Sequence, residues 1–411
     1  MILFMTNGAT TTLSPAPQIQ DYASGNKKPE SAKKFGKSFC IAATIFLALN
    51  VIPQFTDTKN QVFNKFDHPC KGSVWYLVED MRTTASTKAD IALLGSSLMV
   101  AAITNADATG DNKQIDLTTY HKATYLDKQL NKGTNSVNLA VAGEMPSDAL
   151  LILKATIDKL KPGATLVYGL APRDFIDHDF KSPTDSEAYQ LLHRVVPMQQ
   201  ELSDKYNISI WEKTNFWIEK SLFLSDNAID IQMKMSKWGD TAIDTMFGKL
   251  DDSQYLVGTR FWDRQKLIPS YKMVERIPNA FILEPENLTK PPVYVDNTME
   301  YVMRYRRPDM KAFANQVYFV QKIGELCKER GIKLKLVNMP ITETNQNILP
   351  PALYKIYLTK MNELATANGA QFIDFNDHSE FQKSDFNDGV HMNARGSLKF
   401  VERLAKHLNQ K

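Results

Sequence analysis

Two short stretches of this 411-residue chain carry side chains suited to chemistry. The first is Gly95-Ser96-Ser97-Leu98, inside the run ALLGSSLMVAAI. A serine hydroxyl is a weak nucleophile until a base takes its proton and donors stabilise the oxyanion. A strand-to-helix junction exposes the hydroxyl and aims the free N–H groups of the helix start at the developing charge. The same place suits a serine that merely caps the helix, so the tetrapeptide alone leaves both roles open. The second stretch is DFNDGVHMNARG, where Asp388 and His391 stand three apart. That spacing in a loop lets a carboxylate reach one ring nitrogen and fix the tautomer, leaving the other nitrogen to take a proton. An exposed histidine in a turn is the plain alternative. Histidine is scarce, with 7 in the chain, and this one falls where a strand end is expected.

The elements that must position these residues read as strands and helices in alternation. ADIALLG (Ala89–Gly95) is an apolar run ending in glycine, as a buried parallel strand does. NSVNLAV (Asn135–Val141), ATLVYGL (Ala164–Leu170), IKLKLVNMP and QFIDF are the next four strands. A helix starting at Ser147 or Asp148 and stopped by Pro162-Gly163 joins the second to the third. Pro308–Arg330, Ala352–Asn368 and Ala394–Leu408 are further helices, with Gly331 and Gly369 past the ends of the first two. This order predicts an α/β domain with a parallel sheet covered on both faces, whose ligands bind beyond the carboxyl ends of the strands. Between about 180 and 307 the alternation gives way to helices and loops, a large, mainly helical insertion holding four of the five tryptophans. Those are expected to fill a helical core rather than to stack on sugars.

Together the stretches resemble the SGNH/GDSL hydrolase superfamily, with GSSL as the first block and DGVH as the last. The resemblance implies a flavodoxin-like three-layer α/β/α domain and a catalytic Ser97, His391 and Asp388, with Ser96 in a turn or capping role. It also implies that Gly143, in NLAVAGEM, lends its N–H to the oxyanion. The superfamily's third block, G-x-N-D, is met here by YGLAPRDF, with Gly169, Arg173 and Asp174 but no Asn. Arg173 has donors to stabilise an oxyanion, charge to bind an anionic substrate, and Asp174 and Asp177 as structural partners.

Composition sets the remaining bounds. The chain is 43% hydrophobic and 23% charged with a formal charge of +3, which points to a globular protein and away from nucleic acid. No phosphate-cradling glycine loop is present, and Asp177-His178-Asp179 lacks a second cluster, so neither cofactor nor metal is expected. Cys70 and Cys327 are either a pair or two buried thiols. Residues 1–37 read as a disordered, cytoplasmic, lysine-containing leader, and 57–88 as a linker. Between them, 38–56 is uncharged, with an apolar centre (Phe39–Ile52) shorter than the ~20 residues of a comfortable span. A signal anchor with an extracytoplasmic domain, a cleaved signal and a buried helix are the readings, the anchor favoured by the lysines before it.

The anchor and the GSS and PRDF blocks resemble a subgroup that modifies cell-envelope polymers, among them polysaccharide O-acetyltransferases and the D-alanyl transfer protein of teichoic acid modification. It implies an esterase or O-acyltransferase acting on acylated polysaccharide, and a multipass membrane-bound O-acyltransferase as a partner. The contrasting expectation is a non-catalytic glycan-binding or scaffold protein that kept the fold.

Overall fold

The computed structural model describes residues 31–51, 72–83, 88–176, parts of 183–248, and 279–410 apart from 280. At its centre five parallel strands line up as β3-β1-β4-β6-β7. These are β1 (Ala89–Gly95), β3 (Ser136–Asn138), β4 (Leu160–Leu170), β6 (Lys333–Asn338) and β7 (Gln371–Asp374). The remaining two, β2 (Ile115–Asp116) and β5 (Ile282–Leu283), form a separate antiparallel pair. Counted within the sheet alone, the strand order is 2-1-3-4-5, the flavodoxin-like doubly wound order. Strand β1 is flanked on both sides, and all but one of its residues are buried, which is why it reads as a continuous apolar run.

Right-handed crossovers decide where the helices go. The chain moves one way from β1 to β3 through the helix Ser97–Gly110, then back across β1 to β4 through the helix Pro146–Thr156. It continues in that second direction through Met310–Glu329 to β6 and through Pro351–Ala367 to β7. Opposite directions place the helices on opposite faces. The final helix, Ala394–Asn409, returns to pack on Ser97–Gly110, where Ser397 Oγ donates to the Ala101 carbonyl at 3.3 Å. The two ends of the chain's chemistry are thereby brought to one side of the sheet.

Several elements differ from the sequence expectation. The helix before β4 ends at Thr156, followed by a 3-10 turn, and Pro162-Gly163 lies within β4. The pairing of β1 with β4 shifts register between Ala89 and Ile91, and the exposed Lys161–Gly163 segment occupies that irregular stretch. The helix Pro146–Thr156 has Met145 as its N-cap, and the Asp148 carboxylate accepts the Met145 N–H at 3.0 Å. Residues 57–88, expected to be a linker, carry a helix, Ser73–Thr83, whose Val74, Leu77 and Val78 enter the core. The insertion contributes β5 as well as helices, and two of its tryptophans, Trp217 and Trp238, are exposed rather than packed in a core. Trp211, Trp262, Cys70 and Asp177-His178-Asp179 lie outside the described residues.

Toward the N-terminus, the helix Ser31–Val51 exposes Phe39, Ile41, Ile45, Phe46, Leu47, Leu49 and Val51. Among the described residues, no helix is long and apolar enough to cross a membrane.

Candidate functional site

Gly95 ends β1 with φ +148°, and a Cβ there would lie 2.8 Å from the Gly169 carbonyl and 2.9 Å from Met99 Cβ. Glycine is therefore required where the chain leaves the sheet between β1 and β4. Ser96 follows in an extended conformation at the N-cap position, yet its buried hydroxyl makes no capping bond and has no partner among the described residues. Ser97 is the first helical residue. Its N–H belongs to the turn that no helical carbonyl can satisfy.

The opposite half of the site is a tight loop. Asn387 N–H donates to the His391 carbonyl at 2.8 Å, and Asn393 N–H to the Asp385 carbonyl at 3.0 Å. Within this loop Asp388 Oδ1 accepts the N–H groups of Val390 and His391, both at 2.8 Å. Its Oδ2 faces His391 Nδ1 at 2.7 Å. Burial disfavours the Asp388 charge, but the His391 ring and these N–H donors outweigh it and hold the carboxyl below its ordinary range. An ionised carboxylate only accepts, so Nδ1 carries the ring hydrogen. Nε2 then presents its lone pair to Ser97 Oγ, 2.8 Å away and 294 positions distant in sequence. Ser97, His391 and Asp388 thus form one hydrogen-bonded chain.

Gly143 lies on a turn that follows β3. Glu144 N–H donates to the Val141 carbonyl at 3.0 Å, and Gly143 has φ +78°, as the third residue of a type II turn does. Val141 N–H in turn meets the Gly95 carbonyl at 3.1 Å, tying the turn to the strand end that leads to Ser97. The Gly143 N–H has no acceptor among the described residues, and the space a side chain would fill is open.

Arg173 begins a short helix, Arg173–Ile176, just beyond β4. Its Nη1 donates to the Tyr301 hydroxyl at 2.7 Å, and its Nε stands 3.7 Å from Asp174 Oδ1. Tyr301 is buried, and burial raises its phenol, with Arg173 opposing the shift and Asp388 adding to it. Arg173 is thus engaged with the insertion's last helix, Thr298–Tyr305, on the side where Asp388 acts.

Sequence reasoning did not single out the residues that hold the Asp388–His391 loop. Asn297 Oδ1 accepts the Gly389 N–H at 2.9 Å, Val295 N–H donates to the Asn387 carbonyl at 2.7 Å, and Thr342 Oγ1 donates to the Gly389 carbonyl at 2.9 Å. Buried Asn105 donates to the Met392 carbonyl at 3.0 Å. The end of the insertion therefore forms one support of the loop. Nothing in the local sequence of Asn297 or Asn105 marks them. Met339, just past the end of β6, is buried beside Gly169. Among the described residues no group of three or more His, Cys, Asp or Glu side chains is placed to hold a metal.

No protein-family model matches the chain. No curated protein matches it either. Among solved structures it is similar to that of a putative acylhydrolase from Bacteroides fragilis NCTC 9343, at 12% identity over 82% of this chain and 97% of that one, with a TM-score of 0.31.

Proposed function

We propose that the chain is a serine esterase or O-acyltransferase of SGNH type, using Ser97 as nucleophile, His391 as base and then acid, and Asp388 to orient His391. The observation that carries this reading is the single imidazole hydrogen-bonded to Ser97 on one side and Asp388 on the other. In this reading His391 takes the Ser97 proton as Oγ attacks an acyl ester, and returns it to the departing alcohol oxygen. The N–H groups of Ser97 and Gly143 receive the oxyanion, and a water or a glycan hydroxyl then gives its proton to His391 as its oxygen takes the acyl group, the proton passing on to Ser97 Oγ as the acyl–serine bond breaks. Arg173, held by Tyr301, contributes positive charge that favours an anionic acceptor or donor.

The proposed substrates are acyl esters of cell-envelope polysaccharide, with a multipass O-acyltransferase supplying the acyl group when transfer rather than hydrolysis occurs. The exposed apolar side chains from Phe39 to Val51, which follow Lys33, Lys34 and Lys37 in the same helix, support the proposed attachment to the cell membrane with the N-terminus cytoplasmic and the catalytic domain outside. A purely glycan-binding protein has no need of a base poised on a serine, which is why the catalytic reading is preferred. The test is labelling of the full chain by a fluorophosphonate probe. Labelling is expected at Ser97 and absent in Ser97→Ala; labelling that survives this substitution would overturn the reading.

A further inference from the structure

We infer that Glu144 is the positioning residue of the oxyanion-binding turn, its side chain folding back beneath Val141–Glu144 to fix the Gly143 N–H relative to the strand end that carries Ser97. The inference rests on the proposed serine chemistry and adds to it a residue outside the Ser–His–Asp chain.

Three observations converge on this role. Glu144 directly follows Gly143, and its N–H closes the turn onto the Val141 carbonyl. Its Oε2 then accepts the Val141 N–H at 3.2 Å, and the N–H of Gly95 bears on the same carboxyl. One side chain therefore spans the start of the turn, its end and the last residue of β1. Finally, Glu144 is 4% exposed, although a glutamate is almost never buried without a charged partner.

The groups facing it are acidic or phenolic. Asp148 on the helix Pro146–Thr156, Asp174 on the helix Arg173–Ile176 and Tyr168 on β4 all act on it. Burial first, and then repulsion from Asp148 and Asp174, push its carboxyl well above the ordinary range despite the backbone donors. Burial and these two carboxylates thus favour the neutral form of Glu144. That also explains its Oε1, which has no hydrogen-bond partner among the described residues: an unpaired oxygen is tolerated better on a neutral acid than on a carboxylate.

Glutamine has the same length, keeps an oxygen that can accept the Val141 N–H, and carries no charge into this acidic surrounding, so it imitates Glu144 closely. Removal of the side chain would leave the Val141 N–H with only the Gly95 carbonyl and free the turn to shift. Displacement of an oxyanion donor by a fraction of an ångström weakens transition-state binding far more than substrate binding.

The experiment compares full-length wild type, Glu144→Gln, Glu144→Ala and Glu144→Asp in p-nitrophenyl acetate hydrolysis and in the rate of fluorophosphonate labelling at Ser97. Glu144→Gln is expected to keep kcat within about threefold of wild type. Glu144→Ala is expected to lose kcat by about tenfold to a hundredfold, with KM nearly unchanged, in line with a weakened oxyanion contact. Glu144→Asp, shorter by one methylene, is expected to lose tenfold or more and keeps the test decisive if the alanine variant does not fold. Equal labelling rates in wild type and the alanine or aspartate variant would overturn the inference, as would a glutamine variant no better than alanine. Failure of the wild type itself to label at Ser97 would instead overturn the proposed serine chemistry.

Discussion

The backbone of Gly396 lies so close to Asp385 that a Cβ on Gly396 would fall 2.2 Å from the Asp385 carbonyl oxygen. Gly396 sits in the first turn of the helix Ala394–Asn409, and Asp385 opens the loop that ends at His391. The contact sets the height of that loop above the helix packed against Ser97–Gly110. Asn393 completes the arrangement by capping the helix, its Oδ1 accepting the N–H groups of Arg395 and Gly396.

Gly396→Ala is therefore expected to be destabilising, since the obstacle is backbone rather than a side chain that can rotate. Overpacking of this kind costs about 1–3 kcal/mol. The midpoint of urea denaturation should fall with the slope unchanged, and fluorophosphonate labelling should slow because His391 is displaced from Ser97. A variant with wild-type midpoint and labelling rate would show that the loop adjusts freely.

Asp388→Asn tests the orientation of the imidazole. The asparagine side chain presents an N–H as well as a carbonyl, so it permits the tautomer with hydrogen on Nε2, which cannot accept the Ser97 proton. Ester hydrolysis should fall by about 10⁴-fold while circular dichroism stays unchanged. A loss below tenfold would indicate that Asp388 does not act through His391.

The Ser97, Asp388 and His391 constellation was legible only from its two halves taken together, since GSSL alone suits a helix cap and DGVH alone suits a turn. Gly95 and the serines follow an apolar strand, and Asp388 and His391 are close enough in sequence to meet without tertiary help. Alternation of strand and helix likewise marked the five parallel strands, since a central strand such as β1 is buried on both faces. The supports were not legible. Asn297 reaches Gly389 across 92 positions and Asn105 reaches Met392 across 287, contacts that depend on the folded path and leave no pattern in either asparagine's neighbours. The helix Ser73–Thr83 did leave one, with Val74, Leu77 and Val78 at helical spacing, but it is short and follows a stretch without periodicity. The exposure of Trp217 and Trp238 ran against composition, because aromatic residues fill cores only where another element covers them.

Cys327 is buried on the helix Met310–Glu329, and burial pushes its thiol up to about 12. The thiolate is the reactive form, so the native thiol should be inert at pH 8. Iodoacetamide should modify Cys327 only after the chain is unfolded in urea, as read by mass spectrometry of the peptide containing it. Rapid modification of the native protein would show that the helix opens locally.

His121 yields a prediction about acid stability. It is almost wholly buried, and this holds its pKa down to about 4, against the pull of Asp80 and Asp116 toward the charged form. In an unfolded chain a histidine takes up its proton near pH 6.5. Between those limits the unfolded state binds more protons, so the stabilising contribution is fully present above about pH 6.5 and is lost as pH falls toward about 4. At 1.36 kcal/mol per unit, the loss is on the order of 3 kcal/mol. His121→Gln removes this titration and leaves the other acidic groups in place. A plot of urea midpoint against pH should therefore be shallower for the variant across this window, the two curves drawing together at the acid end relative to their separation at pH 7. Parallel curves would mean that His121 titrates alike in both states and that its burial does not hold off the proton.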